Sequence, residues 1–90
     1  MRAEYLVSPD GLQKRDSTGK VVSGQWKDFI GETVFFSYVF KNGTVISTFG
    51  GLDVYYRDLE DTILRVTGKE VLHLPYYWGV THALRRFRQK

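Results

Sequence analysis

Residues 32 to 49 constrain this chain more than any other stretch. β-branched and aromatic side chains flank Asn42-Gly43, the dipeptide that tolerates the positive φ angles of a two-residue hairpin turn. With Lys41 and Thr44 bracketing that turn, Phe40 pairs with Val45, Tyr38 with Ser47 and Phe36 with Phe49. The twofold period of a strand then gathers Val34, Phe36, Tyr38, Phe40, Val45 and Phe49 on one face, and Phe35, Ser37, Val39, Ile46 and Thr48 on the other. Both faces are apolar. Either both are covered, as in a sandwich or a small barrel, or one is an open platform. In the second case Phe36, Tyr38, Phe40 and Phe49 form the platform, because rings displayed on a sheet beside basic groups stack the bases of single-stranded nucleic acid.

Size leaves little room beyond that hairpin and whatever covers it. A chain of 90 residues without repeats, low-complexity tracts or a Pro/Ser linker reads as a single domain, 1–90. Folding at this length hides roughly 60 to 65% of the unfolded surface, so the core has to be dense. Six Phe, six Tyr and two Trp supply that density. The absence of cysteine excludes a disulfide-stapled secreted scaffold and a thiolate zinc finger. Met1 to Val7 lacks the apolar run of a secretory signal, and Val34 to Phe40 is far too short to span a bilayer. The expectation is a cytoplasmic domain with no membrane partner.

Turn chemistry and helical periodicity organise the remainder. Tyr5 to Val7 reads as a short strand closed by Ser8-Pro9-Asp10-Gly11. Asp16-Ser17-Thr18-Gly19 makes Leu12 to Arg15 and Val21 to Trp26 the arms of a polar hairpin, with a loop as the alternative. Gly50-Gly51 ends the central hairpin, and Asp53 caps a helix whose stripe is Leu52, Tyr55, Tyr56, Leu59, Ile63 and Val66. Asp53 with Arg57 and Asp61 with Arg65 fall one turn apart on its wet side, and Gly68 stops it. Val71 to Leu74 is a short strand halted by Pro75. A last helix from about Tyr77 buries Tyr77, Val80, Leu84 and Phe87. The fold class is therefore α+β, an antiparallel sheet of about four to five strands with two helices on one face, in the order β-β-β-β-α-β-α. A small, partly closed barrel with a packed helix is the rival.

Charge is unevenly placed. The formal net charge is +3, yet residues 82 to 90 hold Arg85, Arg86, Arg88 and Lys90 and no acid, leaving the other residues with nine basic and ten acidic side chains. Such a tail attracts phosphate or an acidic protein surface. Its plainer role is a solvated helix end whose cations favour the negative pole of the macrodipole. Tyr76-Tyr77-Trp78 precedes this tail and His82 lies within it, so Tyr76, Tyr77, Trp78, His82, Arg85, Arg86, Arg88 and Lys90 form the candidate partner-binding set. Rings plugging a sheet edge are the plainer reading of the triplet.

Chemistry-bearing motifs are few. Gly11 to Lys20 looks superficially like a phosphate-binding loop, but seven residues separate its glycines and Val21 follows the lysine, so a turn fits better. Anion binding behind Gly50-Gly51 is opposed by the charge of Asp53. His73 and His82 match no metal-ligand spacing and need carboxylate help, and His73 alternates with Leu72 and Leu74 as in a strand; no metal or other cofactor is expected. No serine sits in a nucleophile elbow, and Asp58, Glu60 and Asp61 read as a solvated helix face, so no catalytic residue is assigned. The leading expectation is a non-catalytic binding module that engages a negatively charged partner, nucleic acid foremost. The alternative is a small inhibitor of the virus-encoded type that blocks an acidic groove of a nucleic-acid-handling host protein. A structural homodimer joined through the open sheet face is the third.

Overall fold

The computed structural model describes residues 3–34, 36–48 and 56–88, without the side chains of residues 56, 57 and 88. Strands come first and helices last: β1 (Glu4–Val7), β2 (Gly11–Arg15), β3 (Val21–Gln25), β4 (Phe29–Glu32), β5 (Ser37–Phe40), β6 (Val45–Ser47), α1 (Tyr56–Thr67) and α2 (Val80–Arg88), with one 3-10 turn at Trp26–Asp28. The fold is α+β, as expected. Its strands, however, form two three-stranded antiparallel sheets, β1-β2-β3 and β4-β5-β6, and not one larger sheet or a closed barrel.

Local turn chemistry builds the first sheet. The Ser8 hydroxyl oxygen accepts from the amides of Asp10 and Gly11, which turns β1 into β2. Asp16 Oδ1 accepts from the amides of Thr18 and Lys20, fixing the β2–β3 hairpin that the sequence suggests. Gly11 thus opens a strand and no phosphate loop.

The central hairpin forms with a register one residue away from the expected one. Ser37 faces Ser47, Tyr38 faces Ile46 and Val39 faces Val45. The cause lies in the loop: Phe40 N–H donates to Thr44 O and Gly43 N–H to Phe40 O, so Lys41 to Gly43 form a three-residue loop in which Gly43 takes a φ of 92°. Ile46 consequently joins Tyr38 and Phe40 on their face. Upstream, the run from Val34 to Phe40 is not one strand, because Thr33 N–H donates to Ser37 O and Phe36 N–H to Thr33 O. That turn lets β4 pair with β5.

Alternation along β5 divides the interior in two. Tyr38 and Phe40 join Leu12, Ile46, Leu59 and Ile63 in a core between the sheets and α1. Val39, on the other face, joins Ile30 and Ala83 beneath α2, with Leu74, Trp78, Val80, Leu84 and Phe87 around them. The helices therefore cover opposite faces of the second sheet, not the same one. Burying each large side chain contributes about 1.5–3 kcal/mol, so a sheet apolar on both sides is stabilised by covering both. No open platform results: Tyr38 and Phe40 are fully buried, Phe36 is half-buried, and Phe49 lies outside the described residues.

Three further expectations change. Val71 to Leu74 is not an independent strand; His73 makes a single parallel bridge to Glu32 at the free edge of β4. Tyr77 precedes α2 and is exposed instead of buried, and Val66 of α1 is exposed as well. Leu52, Asp53 and Tyr55 lie outside the described residues, as do Gly50, Gly51 and Lys90, so the proposed cap and the Asp53–Arg57 pair cannot be placed. Arg65 donates to the Thr62 hydroxyl. As expected, α1 stops at Gly68, whose amide donates to Leu64 O. No helix among the described residues is long and apolar enough to cross a membrane.

Candidate functional site

Two groupings of chemistry-bearing side chains emerge, and the sequence singled out only the first. A turn in which Trp78 N–H donates to Pro75 O sets Tyr76 and Tyr77 on the surface before α2. Their rings meet edge-on with centroids 5.4 Å apart and stay 79% and 70% exposed. Trp78 turns inward against the second core. Its ring centroid is 4.8 Å from that of His82, and the Arg86 guanidinium carbon lies 5.7 Å above it. His82 and Arg86, one turn apart on α2, thus both lie against the Trp78 ring just before the helix. Arg85 and Arg86 are exposed, and among the described residues neither forms an ion pair with a carboxylate. The Arg88 side chain and Lys90 lie outside the description.

The second grouping depends on tertiary structure. Phe29 faces Phe40 but Gly31 faces Val39, so Ile30 is an extra residue, a β-bulge. The bulge switches the alternation and puts Glu32 directly opposite Tyr38, on the face toward α1. On the other side of β4, Glu32 N–H donates to Leu72 O and Leu74 N–H to Glu32 O, which brings His73 alongside in register. Gly31 permits this approach, since a Cβ there would lie 2.7 Å from the Leu74 side chain. Glu60 completes the group from α1.

Distances within it are short. His73 Nε2 is 3.3 Å from Glu60 Oε2, and His73 Nδ1 is 3.8 Å from Glu32 Oε1. One ligand atom from each of Glu32, Glu60 and His73 can be chosen so that all lie within 4.8 Å of one another, and no other such group of His, Asp and Glu exists among the described residues. Glu32 is 1% exposed, whereas His73 is 60% exposed. Neither oxygen of Glu32, nor Glu60 Oε2, nor the Tyr38 hydroxyl has a hydrogen-bond partner among the described residues. Burial pushes the Glu32 carboxyl up to about 8, and the neighbouring Glu60 carboxylate adds to the rise. The Tyr38 phenol is pushed up by burial first and by the same two carboxylates second.

His73 therefore has the carboxylate neighbours that its sequence context does not reveal. The available signal was a lone acid, Glu32, inside an otherwise apolar strand. Comparison with protein-family models, with curated proteins and with solved structures finds no match.

Proposed function

We propose that the protein is a non-catalytic binding module that engages single-stranded nucleic acid through Tyr76, Tyr77 and the basic side of α2. The observation that carries this reading is the pair of outward-facing tyrosine rings next to Arg85 and Arg86, two guanidiniums with no internal carboxylate among the described residues. Cations attract the phosphate backbone and release its counterions, while rings stack bases without regard to sequence. Arg86 resting over Trp78 is held pre-ordered, which lowers the entropy lost when it meets a phosphate. His82 and Trp78 form the floor of this surface. Arg88 and Lys90 extend its positive charge by sequence.

Fluorescence anisotropy with a labelled single-stranded oligonucleotide at two salt concentrations tests it. If four cations contact phosphates, affinity falls about fifty-fold between roughly 50 and 200 mM salt. The triple variant Arg85→Glu, Arg86→Glu and Arg88→Glu abolishes binding. Tyr76→Ala with Tyr77→Ala weakens it by about 1–3 kcal/mol per ring while leaving the salt slope unchanged. Binding that is absent, or indifferent to salt, rejects nucleic acid and leaves an acidic protein surface as the partner to seek.

A further inference from the structure

We propose that Glu32, Glu60 and His73 form a binding site for one divalent transition-metal ion of the zinc class. Two carboxylates converge on one imidazole where a carboxylate chain is almost wholly removed from solvent, and both Glu32 oxygens lack a donor among the described residues. Buried charges are ordinarily paired or bound to metal. Here the nearest cationic candidate is His73 itself, and its Nδ1 stands beyond hydrogen-bond range of Glu32 at 3.8 Å.

Geometry supports a single ion. Two atoms bound to one zinc at about 2.0–2.1 Å each are at most about 4.2 Å apart. The three candidate ligand atoms span no more than 4.8 Å, so a small side-chain rotation brings them into range. His73 has the freedom for it, being the most exposed of the three. The ligands come from three places: Glu32 is held by the β4–β5 ladder, His73 by the parallel bridge and Glu60 by α1. A bound ion would tie these elements together, with water completing its coordination on the exposed side. One imidazole nitrogen with carboxylate oxygens is a borderline donor set that suits zinc, whereas calcium takes about 6–8 oxygens. Nothing in this site depends on the nucleic-acid reading of α2.

The rival account is a proton shared by the two glutamates without any metal. Titrating the chelator-stripped full chain with Zn2+ by calorimetry, and with Co2+ by visible absorption, separates the two. One equivalent binds with micromolar or tighter affinity, thermal stability rises by several degrees, and Co2+ develops ligand-field bands. His73→Ala and the near-isosteric Glu32→Gln each weaken binding tenfold or more, while His82→Ala leaves it unchanged. Excess Mg2+ does not displace Zn2+. Less than stoichiometric uptake, binding that survives His73→Ala, or equal loss in His82→Ala overturns the site, and displacement by equimolar Mg2+ overturns its assignment to the zinc class.

Discussion

Glu32 and Tyr38 face each other across β4 and β5, both fully buried, and both end in polar atoms without a hydrogen-bond partner among the described residues. An unsatisfied buried hydroxyl costs about 1–3 kcal/mol in lost hydration. Tyr38→Phe removes that cost and retains the ring that stacks against Phe29 with centroids 5.7 Å apart. The variant is therefore expected to gain about 1 kcal/mol. A urea melt reads this as a higher midpoint at unchanged slope. A lower midpoint would reveal that the hydroxyl has a partner in solution.

Stability of the metal-free protein is expected to fall as pH rises through the neutral range. Glu32 titrates from an ordinary value of 4.5 in the unfolded chain to about 8 in the folded one, chiefly because burial penalises its charge. Between those values the folded state holds a proton that the unfolded state has released. The stabilisation is thus complete below about pH 4.5 and lost on rising through about pH 8. Glu32→Gln carries no titrating group, so its melting temperature changes less across that window and exceeds the wild-type value on the alkaline side. Melting curves in chelator over the same range check this; parallel profiles for the two proteins would show that Glu32 is not the group responsible.

What could be read from the sequence follows the range of the interactions. The turns at Gly19 and Gly43 are local, and both were legible, although Asn42-Gly43 is compatible with two loop lengths and the shorter gives the wrong register. The helix ending at Gly68 was equally accessible. Glu32 was not. Its orientation depends on the bulge at Ile30 and on a bridge to a segment some forty residues later, and no local periodicity carries either. The β4–β5 hairpin was hidden for a related reason: its turn places Phe36 at a position where glycine is the usual signal.

That turn yields a third prediction. Three hairpins close in the same way, with donation across Asp16–Lys20, Thr33–Ser37 and Phe40–Thr44, and the left-handed positions fall on Gly19, Phe36 and Gly43. Phe36 has a φ of 63°, and its carbonyl accepts from both the amide and the hydroxyl of Thr48. Left-handed backbone costs a residue with a Cβ about 1–2 kcal/mol. Phe36→Ala loses the ring and keeps the strain, whereas Phe36→Gly loses both. Phe36→Gly is therefore the more stable of the two by about 1 kcal/mol, the reverse of the order at ordinary φ. Chemical denaturation of the pair decides it, and an alanine variant as stable as the glycine one would mean the turn relaxes.

The joint between the sheets can be tested at Gly24 in β3. A Cβ at that position would lie 2.7 Å from three atoms of the Phe40 ring, and Phe40 is fully enclosed. The ring has no room to retreat, with Trp26 and Phe29 packed around it at tilted angles and centroid distances of 6.4 and 5.4 Å. Overpacking of this kind costs about 1–3 kcal/mol, so Gly24→Ala is destabilising although glycine is usually the less favourable residue in a strand. Phe40→Leu destabilises by itself through the space it leaves. Combined with Gly24→Ala, it makes room for the added methyl, and the double variant is more stable than the sum of the single losses implies, by about 0.5–3 kcal/mol. Strict additivity in the cycle would mean that the two sheets do not meet at this contact.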